Sequence, residues 1–176
     1  MAVTIRRATA ADFAALSELW RQADAVHAAA LPRRFREPQG DARARDFVMG
    51  ELANPDAALL VAEAAGRVAG FVRVTAHQAP QVPGLVPRRY AMAQELVVAE
   101  DSRRRGLGRA LMARAHAWAE ERGLTDVELS VYAFNGAAIA LYEQLGYVVV
   151  SHRMARRLSN PVPRAAADAI HDELAP

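Results

Sequence analysis

Apolar and polar positions change period several times along the chain, and each change marks an element boundary. Residues 3–7 alternate, with Val3 and Ile5 set against Thr4, Arg6 and Arg7, which predicts a strand. Thr9, with Asp12 three positions later, is a helix-start signature ahead of Phe13, Leu16, Leu19 and Trp20, and the helical spacing runs to about Ala28. Pro32 and Pro38 bracket Arg33, Arg34, Phe35 and Arg36 as a loop. Ala44, Phe47, Val48 and Leu52 then predict a second helix over 41–53, stopped by Asn54-Pro55.

From there the period becomes extended. Residues 58–63 and 68–75 flank Ala64-Ala65-Gly66-Arg67 and predict an antiparallel hairpin. A stretch rich in Pro and Gly, 79–87, leads to another extended run over 90–98. Residues 106–122 place Leu107, Leu111, Ala115 and Trp118 on one helical face, with Gly123 as the stop. A strand is predicted over 126–132, then a helix capped by Asn135, carrying Ala138, Leu141, Tyr142 and Leu145 and closed by Gly146. Residues 147–150 and 152–157 complete the pattern as two further strands. The sum is one mixed α/β domain over 1–158, with a single sheet of about seven strands and about four helices. Residues 159–176, opening Ser159-Asn160-Pro161-Val162-Pro163, are expected to form an appended tail with a short helical segment.

Composition narrows the class. The 176 residues are about one domain's worth, and 24% of them are charged. Residues 1–7 lack the apolar core of a signal peptide, and no stretch is long and apolar enough to span a bilayer, so a cytoplasmic protein without a membrane partner is expected. The chain has no cysteine, which excludes disulfides, thiolate metal sites and thiol nucleophiles. His27, His77, His116, His152 and His171 show no metal-ligand spacing, so no metal is expected. The 22 basic side chains are all arginine, spread along the chain against 20 acids. A net charge of +2 without an aromatic stacking platform argues against nucleic acid as a partner.

The informative feature is Arg103-Arg104-Arg105-Gly106-Leu107-Gly108-Arg109, after an apolar strand and at the start of an amphipathic helix. Glycines allow close backbone approach, first-turn N–H groups are free to hold an anion, and the arginines add charge-assisted bonds. A diphosphate suits such a loop. A dinucleotide fingerprint would need a small residue where Leu111 stands, and a Walker-type loop would need a lysine, of which there is none.

Leu96-Val97-Val98, the Arg103-x-x-Gly106-x-Gly108 loop, Asn135, and Ala140-Leu141-Tyr142-Glu143-Gln144-Leu145-Gly146-Tyr147 together resemble the GNAT superfamily of acyl-CoA-dependent N-acyltransferases. The resemblance spans residues 3–158 in element order. It implies a sheet splayed between two central strands, here ending near Val98 and Val131, with a cleft for pantetheine. Main-chain groups of Leu96, Val97 and Val98 would bond the pantetheine arm as an added strand, residues 103–109 would hold the pyrophosphate, and Asn135 would touch the cofactor from the other wall. The family's typical proline two residues after the last of these valines is replaced by Glu100.

The implied reaction joins an amine to the acetyl group of acetyl-CoA with no covalent enzyme intermediate. A primary amine of ordinary pKa, about 10.4, is neutral about once in two thousand at pH 7, so deprotonation costs roughly 4.6 kcal/mol and a base helps. Tyr142 is the candidate acid for the leaving thiolate, although periodicity alone reads it as a core residue. Glu95 is the candidate base, with a solvent-facing strand carboxylate as the equal alternative and Tyr90 and Glu128 behind it. His27, Phe35 and Tyr90 are candidate acceptor-binding residues. The expected acceptor is a small-molecule amine, the runner-up a peptide or protein amine, and the rival of another class a non-catalytic acyl-CoA sensor. A homodimer is the assembly common among proteins of this resemblance.

Overall fold

The structure, a computed structural model, describes residues 3–156. The predicted tail over 159–176 and the last residue of the final predicted strand lie outside the described residues. β1 (Val3–Arg7) leads through a 3-10 turn (Ala10–Asp12) into α1 (Phe13–Ala30) and α2 (Arg45–Ala53). β2 (Ala57–Ala64), β3 (Arg67–Gln78) and β4 (Arg89–Val98) follow, then α3 (Leu107–Glu120), β5 (Asp126–Leu129) and α4 (Gly136–Gln144).

The five strands form one sheet in the order β1-β2-β3-β4-β5. All neighbours are antiparallel except β4 and β5, which are parallel because the α3 crossover returns the chain to the same end of the sheet. Strand alternation divides the apolar residues between two layers. Leu60, Val72, Val74, Ala91 and Ala93 pack with Leu111, Met112, Ala115 and Trp118 of α3. Leu59, Val61, Phe71 and Val97 pack with Leu16, Leu19 and Trp20 of α1 and Val48 of α2, with the Trp20 and Phe71 ring centroids 4.8 Å apart. No helix among the described residues is long and apolar enough to cross a membrane.

Among the described residues the count of about seven strands is corrected to five. Residues 147–150 and 152–156 form no strand, and Val148, Val149 and Val150 are 78%, 73% and 80% exposed. Their β-branched composition reads as strand, but strand propensity is realised only against a neighbour, and no described strand pairs with them. β5 also stops at Leu129, short of Tyr132, because its pairing with β4 ends at Ala93↔Leu129. α2 starts at Arg45, later than position 41.

One irregularity decides what β4 presents. The β3–β4 register passes from Val74↔Ala93 to Arg73↔Glu95, leaving Gln94 as a bulge. Before the bulge the odd positions Ala91 and Ala93 face α3; after it the even positions Leu96 and Val98 do, and Val97 packs toward α1.

The N-terminal edge is held by charge. Arg6 forks onto Asp12 through two bonds of 2.8 and 2.9 Å, while the Thr9 N–H donates to Asp12 Oδ2 at 2.7 Å. These bonds hold the buried Asp12 carboxyl down at about 2, against the usual 3.8. The stabilisation, roughly 1–2 kcal/mol, is complete above pH 4 and is lost as pH falls from about 4 to about 2. In acid unfolding curves the stability difference between wild type and Asp12→Asn is expected to shrink toward zero over that interval.

Candidate active site

The diphosphate-binding features predicted from sequence lie at the start of α3. Gly106 caps the helix at φ +82°, and Arg104 takes a left-handed φ of +63° that costs a non-glycine residue about 1–2 kcal/mol. The N–H groups of residues 104–109 donate to no described residue, and α3 has no side-chain cap. Six consecutive main-chain donors at the positive end of a 14-residue helix make a cradle for an anion. Arg104 and Arg105 are exposed beside it, and Arg103 folds back so that Nε donates to the Val98 carbonyl at 3.2 Å. Leu107 offers the cradle only its N–H, because its side chain is buried in the α3 core. Arg109 turns away from it, donating to Gln144 Oε1 at 3.0 Å and fastening α3 to α4.

Gly108 sets how closely these elements meet. A Cβ there would lie 3.2 Å from Leu141 Cδ2, 3.8 Å from Leu96 Cδ2 and 3.9 Å from Val98 Cγ2. The first turn of α3, the end of β4 and α4 therefore converge on one point. Leu96, Val97 and Val98 pair with β3 on one side only, since β5 leaves β4 after Ala93. The exposed strand edge between β4 and the diverging chain is a slot into which an extended arm can add as a further strand.

α4 flanks the slot from the α3 layer. Asn135 Oδ1 accepts the Ala138 N–H at 3.2 Å, so the oxygen of this predicted cofactor contact is spent on the helix cap. Tyr142 packs on the α3-side core, with its ring edge-on to Tyr147 at 5.7 Å between centroids, and Tyr147 is fixed in turn by His116 Nε2, 2.8 Å from its hydroxyl. Burial pushes the Tyr142 phenol above its usual 10, so it keeps its proton at neutral pH. Its hydroxyl bonds to no described residue and is not sealed from solvent. That is the state required of a proton donor.

Glu95 occupies a different setting from the one expected. Oε2 accepts from Arg73 Nε at 3.0 Å and Oε1 from Arg43 Nη2 at 3.3 Å. Arg73 continues to Glu51 at 3.0 Å and Arg43 to Asp24 at 2.8 Å, forming a chain of three carboxylates and two guanidiniums on the α1 side of the sheet.

The predicted acceptor residues separate. His27 and Phe35 come together, 5.1 Å between centroids, but Tyr90 lies eight residues before Val98 on β4, roughly 26 Å away along the strand. There it stacks on His77 and carries Arg88 above its ring, and Arg88 also binds Glu128, leaving neither Tyr90 nor Glu128 in the slot. Tyr132 and Phe134, missed in the sequence, join His27 at 5.6 and 5.5 Å. Their signal was the Tyr-Ala-Phe spacing immediately beyond a strand, which the longer predicted β5 concealed. Among the described residues no group of three or more His, Cys, Asp or Glu side chains is arranged to hold a metal ion.

Comparison with known proteins gives this arrangement a lineage. The Acetyltransferase (GNAT) family model matches residues 15–147. The ribosomal protein bS18-alanine N-acetyltransferase of Escherichia coli K12 is 41% identical over 75 residues, 43% of this chain and 49% of that protein. The chain spans about half the length of the curated relatives it matches, or less. A mutant of the BH1408 protein from Bacillus halodurans superposes with a TM-score of 0.84 at 23% identity, covering 88% of this chain and 99% of that one. The aminoglycoside N-acetyltransferase AAC(6')-Iy, solved in complex with CoA, superposes at 0.71 with 17% identity, covering 90% and 96%. With that family model matching residues 15–147, from within α1 to the residue after Gly146, the chain belongs to the GNAT acetyltransferase family.

Proposed function

We propose that this protein is an N-acetyltransferase that moves the acetyl group of acetyl-CoA to the primary amine of a small molecule by direct attack on the thioester. The observation that carries this reading is the run of six unpaired N–H donors at residues 104–109, set beside the one-sided edge of β4. That cradle and its arginines fit a diphosphate, and the edge of Leu96–Val98 fits a pantetheine arm. Acetyl-CoA supplies the activated acyl group. Aligning the reactants is worth about 7–11 kcal/mol, so the chain's chief task is positioning. Tyr142 gives its phenolic proton to the departing sulfur, and a proton lost by the acceptor nitrogen restores the phenol.

On the acceptor side, Asp24, Glu51 and Glu95 outnumber Arg43 and Arg73 by one charge, a setting that suits an arriving ammonium. Each Glu95 oxygen accepts from an arginine. In this reading it aligns the α1–α2 connection with β4. A second reading, acetylation of a peptide amine, is favoured by the similarity to the bS18-alanine enzyme.

Calorimetric titration with acetyl-CoA, followed by thiol release with phenethylamine, spermidine and an alanine-initiated peptide, tests the proposal. One saturable site and turnover of a small amine are expected. Turnover of the peptide alone would select the second reading, binding without turnover would mark an acyl-CoA sensor, and no binding by folded protein would remove acetyl-CoA from the account.

A further inference from the structure

The acceptor side holds a group that the proposed reaction does not yet use. His27 Nδ1 lies 2.8 Å from the Ala23 carbonyl one turn earlier on α1. A carbonyl only accepts, so Nδ1 carries the proton and the neutral ring keeps its lone pair on Nε2. Nε2 bonds to no described residue and is not among the buried polar atoms left without a partner. The ring is held by three others. Phe35 comes from the turn after α1 at 5.1 Å, and Tyr132 and Phe134 from the chain leaving β5 at 5.6 and 5.5 Å, with Phe35 and Tyr132 themselves 5.4 Å apart.

The placement matters as much as the tautomer. Tyr132 and Phe134 are three and five residues beyond Leu129, where β5 has parted from β4, so the chain leaving β5 carries them to His27 on α1. Five residues before His27, α1 passes the residues that follow β4, with Gln22 Oε1 accepting the Glu100 N–H at 3.3 Å. Tyr142 approaches from the opposite layer. A proton acceptor and a proton donor thus flank the parting strands from the two faces of the sheet. Glu95, the other candidate, has each oxygen on an arginine.

We propose that His27 Nε2 is the general base that deprotonates the acceptor amine, an inference that rests on the acetyltransferase reading. Nε2 takes one proton from the ammonium and passes it to solvent. The freed lone pair forms the C–N bond as the carbonyl opens, collapse breaks the C–S bond, and sulfur takes the Tyr142 proton. The nitrogen then loses its second proton, which replaces the one Tyr142 gave. Two protons leave nitrogen, one ends on sulfur and one is released. On the segments that carry these rings the nearest charged or titratable groups in sequence are Asp24 on α1, which accepts from Arg43, then Arg33 and Arg34 just before Phe35, and Tyr132 itself.

Two amines separate a base from a wall of the site. Phenethylamine is almost entirely protonated at pH 7, whereas hydroxylamine is neutral and needs no base. His27→Gln is expected to lower kcat with phenethylamine by 100-fold or more and to leave hydroxylamine turnover within threefold. Acetyl-CoA affinity should not change. An equal loss with both amines, or a loss of acetyl-CoA affinity, would overturn the assignment. So would a nitrogen NMR spectrum of the wild type showing the His27 proton on Nε2, a readout that needs no variant. Failure of the wild type to bind acetyl-CoA would instead strike the acetyltransferase reading beneath it.

Discussion

Replacing Gly108 with glutamate is expected to raise the dissociation constant for acetyl-CoA at least 100-fold, which corresponds to about 2.7 kcal/mol. Two effects act in the same direction. The new Cβ would press to 3.2 Å from Leu141 Cδ2, forcing α4 away from the α3 start or bending the side chain toward the cradle. A carboxylate in the first turn of α3 would then take up the very N–H donors that a diphosphate needs, and would repel its charge. Gly108→Ala separates these contributions, since it adds the crowding without the charge and should cost tenfold or less. Titration calorimetry with acetyl-CoA, on variants whose helical circular dichroism matches wild type, reads both. If the glutamate variant binds as wild type does, the cradle is not the diphosphate site.

Tyr142→Phe carries the second large effect, a fall in kcat of about 100-fold or more with acetyl-CoA affinity unchanged. The hydroxyl has no bond to a described residue, so removing it breaks no internal contact, and the melting temperature should barely move. The ring stays in place against Tyr147 and the α3 core. Because burial lifts the phenol above 10, ionisation of this residue should not reduce wild-type activity below that pH. Unchanged turnover in the variant would return Tyr142 to the role that periodicity alone gives it, a core residue. Weakened acetyl-CoA binding at unchanged kcat would make it a binding residue.

The elements that sequence reading located well are those whose signals are local. Asn135 and Gly146 delimit α4, and Gly106 opens α3, because a cap and a left-handed turn are properties of a few consecutive residues. The hairpin turn at Ala65-Gly66 is of the same kind. What escaped notice depends on partners distant in the chain. Val148–Val150 has strand composition and no strand to join. Glu95 reads as a free carboxylate until Arg43 and Arg73, 52 and 22 residues away, are folded against it. The ring cluster draws His27, Phe35, Tyr132 and Phe134 from three segments, and only two of the four stood out beforehand. Tyr90, chosen with them on residue type, belongs to the far end of its strand.

The unpaired Gln94 gives β4 a change of phase. Were Gln94 pleated regularly instead of bulged, the second half of the strand would present its opposite faces. Glu95 would then enter the greasy layer beneath α3, and Leu96 and Val98 would lose their seat against Gly108. A strand normally commits each face to one purpose along its whole length. Here a single inserted position lets the first half serve as scaffold and the second as binding edge. Insertions and deletions should therefore be far better absorbed in the loop over 79–88 than anywhere between Gln94 and Val98, where every residue's side of the sheet is counted from the bulge.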